Sequence, residues 1–231
     1  MKQLTRMIAA LCLFVTLLLL RELPAEIPAH YDSAGNITRW GSKYELLILP
    51  VILLLISFGS RFLLLHLRRK AEQAGSDKER QAAAANAKVV VIVIFSQTLI
   101  LSCIQGVLLY NTVFALRGES FLSTFAGEKL LTILCGSLLL VPGNILPKCR
   151  RNGMVGFRLP WTKYNDITWQ KSNRFAGRML VAAGALGIVS TVFAPKGYGM
   201  FLLSIYIMAA IVISTVRAWL VYREEKAKEQ S

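Results

Sequence analysis

The chain has 231 residues, of which 55% are hydrophobic and 17% charged, and its formal net charge is +14. A soluble domain of this length needs a polar surface, so the apolar excess indicates contact with lipid and leaves no room for a separate soluble enzyme domain. The positive charge would suit nucleic acid, but the basic residues flank apolar runs on alternating sides, so we expect no direct nucleic-acid binding.

Six apolar runs follow one another along the chain. They are residues 7–20, 44–65, 89–116, 130–146, 175–194 and 200–222. Their length and uniform apolarity predict an all-α membrane protein, a bundle of about six transmembrane helices. The first run also resembles a secretory signal peptide, but Arg21 and Glu22 follow it without a cleavage site, so we predict an uncleaved helix. At the end of the fourth run, Pro142 and Pro147 bracket Gly143 and Asn144, so we predict that the helix ends or breaks there.

Basic residues are distributed unequally between the two sides of the predicted bundle. Eighteen lie in the amino terminus, the segments 66–88 and 147–174, and the tail, whereas the intervening segments carry six. This bias predicts that both termini are cytoplasmic. The predicted organisation is a two-helix module over 1–66 with an outer loop at 21–43, a cytoplasmic connector at 67–88, a four-helix domain over 89–222 with a cytoplasmic motif loop at 147–174, and a tail at 223–231.

The sequence carries no pattern typical of catalysis or of a bound cofactor. The cysteines Cys12, Cys103, Cys135 and Cys149 form no C-x-x-C pair, which argues against a disulfide framework, and we predict neither a metal nor a cofactor. There is no H-E-x-x-H motif, phosphate-binding loop or nucleophile elbow, so we predict no enzyme. No ionised residue lies at the centre of a span, which argues against an ion-coupled transporter.

The outer loop is richer in chemistry than a plain connection requires. Its prolines stop helix formation, and its Asp, Ser, Gly and Asn residues favour a turn. One interpretation is an interfacial loop with an aromatic belt residue. The other is an outward recognition surface, for which the candidates are His30, Tyr31, Gly35 and Trp40.

The cytoplasmic motif loop packs glycines, asparagines, prolines and tryptophans closely among basic residues. One interpretation is a basic loop that binds anionic lipid head groups. The other is a surface for a protein partner, since lipid binding alone does not explain the Gly and Asn content. The candidate residues are Asn144, Pro147, Asn152, Gly156, Arg158, Pro160, Trp161, Thr162, Trp169 and Arg174.

The third run carries a stripe of polar side chains within the predicted bilayer. Polar groups in hydrocarbon seek partners, so this stripe should face the bundle interior. Hydrogen bonding between helices and a transport path are both consistent with it. The stripe consists of Thr98, Ser102, Gln105 and Thr112.

Two segments together resemble the SdpI-like immunity proteins. The sequence G-N-I-L-P-K-C-R-R-N-G-M-V-G-F-R-L-P-W-T, followed by W-Q-K-S-N-R-F-A-G-R, is similar to the signature of that family, and Asn173 stands where the family often has histidine. The outer segment L-P-A-E-I-P-A-H, with G-N-I-T-R-W-G-S-K after it, resembles a small two-helix module of unknown function that often precedes the signature.

The resemblance implies a multi-pass protein of the bacterial cytoplasmic (inner) membrane that protects the cell against a secreted, membrane-active peptide toxin. It also implies signalling in which a cytoplasmic repressor protein is held at the membrane. The expected partners are thus membrane lipid, an extracellular peptide toxin and a cytoplasmic repressor. A small-solute or lipid transporter, a membrane sensor without a toxin, and a structural subunit of a larger complex are the alternatives. The sequence leaves the oligomeric state open.

Overall fold

The computed structural model describes residues 1–31, 37–118, 121–122, 124–152 and 155–229. In this part of the chain, six helices are long and apolar enough to cross a membrane. They are α1 (Lys2–Glu22), α2 (Ile48–Glu72), α3 (Asp77–Ala115), α4 (Phe125–Ile145), α5 (Asp166–Phe193) and α6 (Gly199–Lys228). The predicted all-α membrane architecture is confirmed. The protein is therefore a multi-pass membrane protein.

The helices pack as two groups that share a boundary. Helices α1, α2 and α3 contact one another, α4 packs on α3, and α5 lies between α4 and α6. Glycines bring α4 and α5 together: a Cβ on Gly143 would lie 2.9 Å from the Gly177 carbonyl oxygen, and one on Gly184 would lie 2.7 Å from that of Gly136. The glycines seven residues apart on each helix thus make a close backbone contact.

The outer loop contains a β-hairpin, a feature that the sequence analysis did not predict. Strands β1 (Glu26–Tyr31) and β2 (Ile37–Ser42) pair antiparallel. Ile27 is buried against Leu20 and Leu23 at the end of α1. Lys43 donates hydrogen bonds to the carbonyl oxygens of the same two leucines, at 2.7 and 2.8 Å, which neutralises the carbonyl end of α1. The hairpin is therefore attached to the bundle. We call the side that bears it the outer face.

Several helices extend beyond the apolar runs. Helix α3 has 39 residues, or roughly 58 Å at 1.5 Å per residue, which exceeds a hydrocarbon core of about 30 Å. Its first turns and the last turns of α2 occupy most of the connector at 67–88, so this segment is mainly helical. The predicted domain boundaries themselves stay a prediction.

Helix α4 continues past Pro142 and ends at Ile145, between Pro142 and Pro147, as predicted. A proline lacks the N–H that would bond the carbonyl four residues earlier, here that of Leu138. Gln97 of α3 donates to this oxygen through Nε2 at 3.0 Å. The neighbouring helix thus supplies the missing donor, and the kinking penalty is partly offset.

Candidate functional site

The cytoplasmic motif loop folds onto the inner ends of α3, α4 and α5, and we call its described residues between 149 and 164 the inner cap. Trp169 anchors it: the side chain is 2% exposed and its indole Nε1 donates to the Cys149 carbonyl at 2.9 Å. The backbone of Gly156 lies against the indole ring of Trp169. Its φ is +129°, and a Cβ there would lie 2.5 Å from the ring. Only glycine satisfies both conditions.

Three polar side chains hold the backbone of the inner cap. Asn173 accepts from the Phe157 N–H at 2.7 Å and donates to the Trp169 carbonyl at 3.0 Å. Thr162 is fully buried and bonds the backbone of residues 157 and 159. Asn152 bonds the backbone of residues 150 and 155. These motif positions are architectural, and Asn173 needs both its amide donor and its amide acceptor.

Asn86 of α3 also holds the inner cap, and the sequence analysis missed it. Its Oδ1 accepts from the Arg150 N–H at 3.0 Å, and its Nδ2 donates to the Arg150 carbonyl at 3.3 Å. The side chain is 1% exposed. The signal in the sequence was the single asparagine within an alanine-rich run. An exposed connector has no need of an amide at that position.

The remaining candidates of the motif lie on the cap or on the helix ends beside it. Asn144, Arg158, Pro160 and Arg174 are exposed, beside Lys148 and Arg150. Pro147 packs on Gly177, and Trp161 is half-buried. The cap therefore combines a hydrogen-bonded interior with a basic exterior.

The end of α6 is bound to the cap and to α5. Glu225 is buried and accepts from Lys171 at 2.9 Å and from Lys228 at 3.0 Å. Tyr164 donates through its hydroxyl to Glu229, and this carboxylate raises the pKa of the Tyr164 phenol. Sequence reasoning missed Glu225, for which an acidic residue amid the basic tail was the signal.

The outer face contains a cavity of about 770 Å³. Its walls come from residues 27–31 of the hairpin, the outer half of α3, and the first turns of α2, α4 and α6. Gln105, on its lining, lies ten residues before the end of α3, which is roughly 15 Å along the helix. The cavity therefore extends inward alongside the last turns of α3.

The cavity brings together parts of two residue sets that were predicted separately. His30 and Tyr31 come from the outer-loop set, and Gln105 and Thr112 from the polar stripe. Gln105 is 1% exposed, and its Nε2 donates to the Leu46 carbonyl at 2.9 Å. Burial raises the pKa of the Tyr31 phenol, and the nearby Asn111 amide partly offsets that rise.

The other members of those two sets lie elsewhere. Trp40 is 54% exposed on β2, and Gly35 falls outside the described residues. Thr98 is buried and Ser102 half-buried on α3, and neither contributes to the lining. The stripe is therefore divided between helix packing and the cavity wall.

Glu128 is a cavity residue that the sequence analysis missed. Its carboxylate accepts from the Gly197 N–H at 2.7 Å and from the Gly199 N–H at 3.1 Å, so it binds the turn where α6 begins. Its position in the first turn of α4, opposite a glycine-rich turn, was the available signal.

The described residues offer no metal centre and no activated thiol on the cap. No group of three His, Cys, Asp or Glu side chains converges there to hold a metal ion. Burial raises the pKa of the Cys149 thiol to about 11, whereas reactive cysteines have a lowered pKa. What the geometry offers is a binding cavity on one face and a basic, ordered surface on the other.

Comparison with known proteins supports the resemblance drawn from the two motifs. The model of the SdpI/YfhL protein family matches residues 148–222, which cover the inner cap, α5 and most of α6. This part of the chain is therefore similar to the SdpI/YfhL protein family. A domain of unknown function (DUF1648) matches residues 7–54, which cover α1, the hairpin and the start of α2.

A curated relative covers nearly the whole chain. The Immunity protein SdpI of Bacillus subtilis (strain 168) is 23% identical over 218 residues, which is 94% of this chain and 93% of the relative. No solved structure matches. The suspected SdpI-like resemblance and the location in the bacterial cytoplasmic (inner) membrane are confirmed. The relative is named as an immunity protein, and neither its name nor the two family descriptions name an enzyme activity.

Proposed function

We propose that this chain is a membrane immunity protein that protects a bacterial cell by binding a secreted, membrane-active peptide toxin, without catalysis. The observation that carries the proposal is the cavity on the outer face, formed jointly by the hairpin and four helices. A relative that spans nearly the same length bears the name of an immunity protein. A toxin that enters from the outer leaflet would meet this cavity first.

The chemistry of the cavity suits a peptide that partitions into lipid. Aliphatic and aromatic side chains, such as Leu108, Leu131 and Phe201, supply apolar walls for apolar side chains. Two polar groups of the lining, the buried Gln105 amide and the Tyr31 hydroxyl, suit the backbone groups of a peptide that has lost its water. Binding of the peptide in the cavity thereby competes with its insertion into the bilayer.

On the cytoplasmic side, the proposal includes sequestration of a repressor protein by the inner cap. The support is a rigid, internally hydrogen-bonded platform with exposed Asn144, Arg158 and Arg174. A surface with ordered backbone and displayed basic groups suits an acidic protein partner. Anionic lipid head groups would compete for the same charges.

The test is survival of a toxin-sensitive strain that expresses the protein. Leu131→Trp places a larger ring in the cavity, whereas Leu130→Trp, one residue earlier and 40% exposed outside the lining, is the matched control. We expect the first variant to abolish protection and the second to preserve it at equal membrane levels. Equal protection by both variants would refute the cavity as the immunity site.

The cap is tested separately in the same strain. Arg158→Ala should release a reporter of the repressor while protection persists, because Arg158 is exposed and distant in the fold from the cavity. Trp161→Ala serves as the second cap variant. Unchanged repression and unchanged protection in both would remove the signalling part of the proposal.

A small-solute or lipid transporter, or a membrane sensor unrelated to toxins, is the second candidate. The observation in its favour is that Gln105 and Thr112 of the polar stripe line a cavity within the bundle. Solute flux in proteoliposomes that is lost in Leu131→Trp and retained in Leu130→Trp would favour transport over immunity.

A further inference from the structure

The charge on the cavity lining differs from that of the rest of the protein. Two carboxylates, Glu45 and Glu128, lie among the described lining residues, and no lysine or arginine does. The undescribed positions 32–36, 119–120 and 123 also contain no lysine or arginine. On the predicted outer side as a whole, six basic and six acidic residues balance, so the net positive charge belongs to the other side. Long-range repulsion does not keep a cation from this cavity.

The two carboxylates are compensated differently. Glu45 forms an ion pair with Arg39, with oxygen–nitrogen distances of 2.7 and 3.0 Å. Glu128 accepts only from the backbone N–H groups of Gly197 and Gly199, which solvate its negative charge but carry no full positive charge of their own. In the described structure, Glu128 is therefore the lining carboxylate without a cationic partner.

Two further polar groups lie on the lining. Gln105 is 1% exposed, and its Oε1 accepts no hydrogen bond from any described residue, since both of its bonds are made by Nε2. The buried Tyr31 hydroxyl lies near the Asn111 amide, which also lines the cavity. An acceptor on the lining without a partner favours a ligand that supplies a donor.

We infer that the cavity selects an apolar peptide segment that carries one lysine or arginine, with the cation against Glu128 and backbone groups bonded to Gln105 and Tyr31. This inference rests on the proposed function and specifies the class of toxin that the site takes. A phospholipid is the less suitable occupant, because its phosphate would lie near the two carboxylates of the lining. The apolar walls select against a small hydrophilic cation.

The test measures binding of short dansyl-labelled leucine peptides to the full chain in nanodiscs of zwitterionic lipid, with empty nanodiscs as the reference. The peptides differ at one position, which is lysine, glutamine or glutamate. We expect the lysine peptide to bind about ten-fold more tightly than the glutamine peptide at low salt, and the glutamate peptide to bind most weakly. The advantage of lysine should shrink as ionic strength rises.

Variants assign the effect to one carboxylate. Glu128→Gln should weaken binding of the lysine peptide about ten-fold and leave the glutamine peptide unchanged, which also shows that the cavity is intact. Glu22→Gln removes an exposed carboxylate from the same side, outside the described lining, and should change neither affinity. If Glu128→Gln does not fold, the salt dependence in the unaltered protein decides.

The outcomes separate this inference from the proposed function. Equal affinities for all three peptides, all lost in Leu131→Trp, would overturn charge selection and leave the cavity as the site. Preferred binding of the glutamate peptide or of an anionic lipid, or no binding of any peptide, would also overturn it. Survival of toxin-treated cells that is unaffected by Leu131→Trp contradicts the proposed function instead.

Discussion

Helix α3 contributes a glutamine, Gln97, that compensates for a proline in α4, and this pairing can be tested by a double-mutant cycle. Gln97 bonds the Leu138 carbonyl, which Pro142 leaves without its helical donor. In hydrocarbon an unpaired carbonyl has no water molecule to bond, so the Gln97 side chain should contribute measurably to stability.

We expect Gln97→Leu to lower the free energy of unfolding by about 1–2 kcal/mol, which is the cost of an unpaired buried carbonyl moderated by the modest strength of hydrogen bonds in membranes. Pro142→Ala restores the N–H that bonds the Leu138 oxygen. In that background, Gln97→Leu should therefore cost less than about 0.5 kcal/mol, so the coupling energy is about 1 kcal/mol.

The assay is reversible unfolding of the four proteins in mixed micelles, followed by tryptophan fluorescence. Ser96→Ala is the control, because Ser96 is half-buried and bonds only the Ile92 carbonyl of its own helix; it should change stability little. The same loss from Gln97→Leu in both backgrounds would show that the glutamine stabilises the bundle by some means other than compensation for Pro142.

Three other predictions concern the cavity and the inner cap. Gln105→Leu should destabilise the protein by about 1–2 kcal/mol and also weaken binding of the glutamine peptide, measured by unfolding and by anisotropy. Gly156→Ala should cost about 2–4 kcal/mol, from its positive φ and the clash with the indole, whereas Gly59→Ala, with open space at its Cβ, should be neutral or stabilising in the same thermal assay. Asn86→Leu should detach the cap from α3, so that a maleimide labels Cys149 faster at pH 7 than in the unaltered protein.

Hydropathy and charge predict the six spans because lipid contact imposes a length and a composition that any sequence must show. The hairpin was not predicted, since Pro24, Pro28 and the turn residues indicate an extended loop without indicating pairing. Pro142 and Pro147 correctly predict where α4 ends, but the sequence does not show that Gln97, on another helix, bonds the carbonyl that Pro142 leaves without a donor. Local patterns do not reveal such compensation.

The candidate sites show the same limit. The motif loop is dense in glycine and asparagine, but the sequence cannot tell that Gly156 and Asn152 hold the cap while Arg158 lies at its surface. The outer cavity could not be predicted, because its wall is assembled from residues as distant as Tyr31 and Phe201. Its members become a site only when the helices pack.

Helix α6 is the element that both sites share. Its first turn is bound by Glu128 at the cavity wall, its last turns are bound to α5 through the Lys171–Glu225 pair, and Glu229, just after it, is bound to Tyr164 of the cap. Because a helix is stiff along its axis, displacement of its outer end by a bound peptide would be transmitted to those inner contacts. Under the proposed function, immunity then needs only the cavity, whereas signalling also needs the inner contacts of α6. Loss of the Lys171–Glu225 pair should therefore impair signalling before it impairs protection.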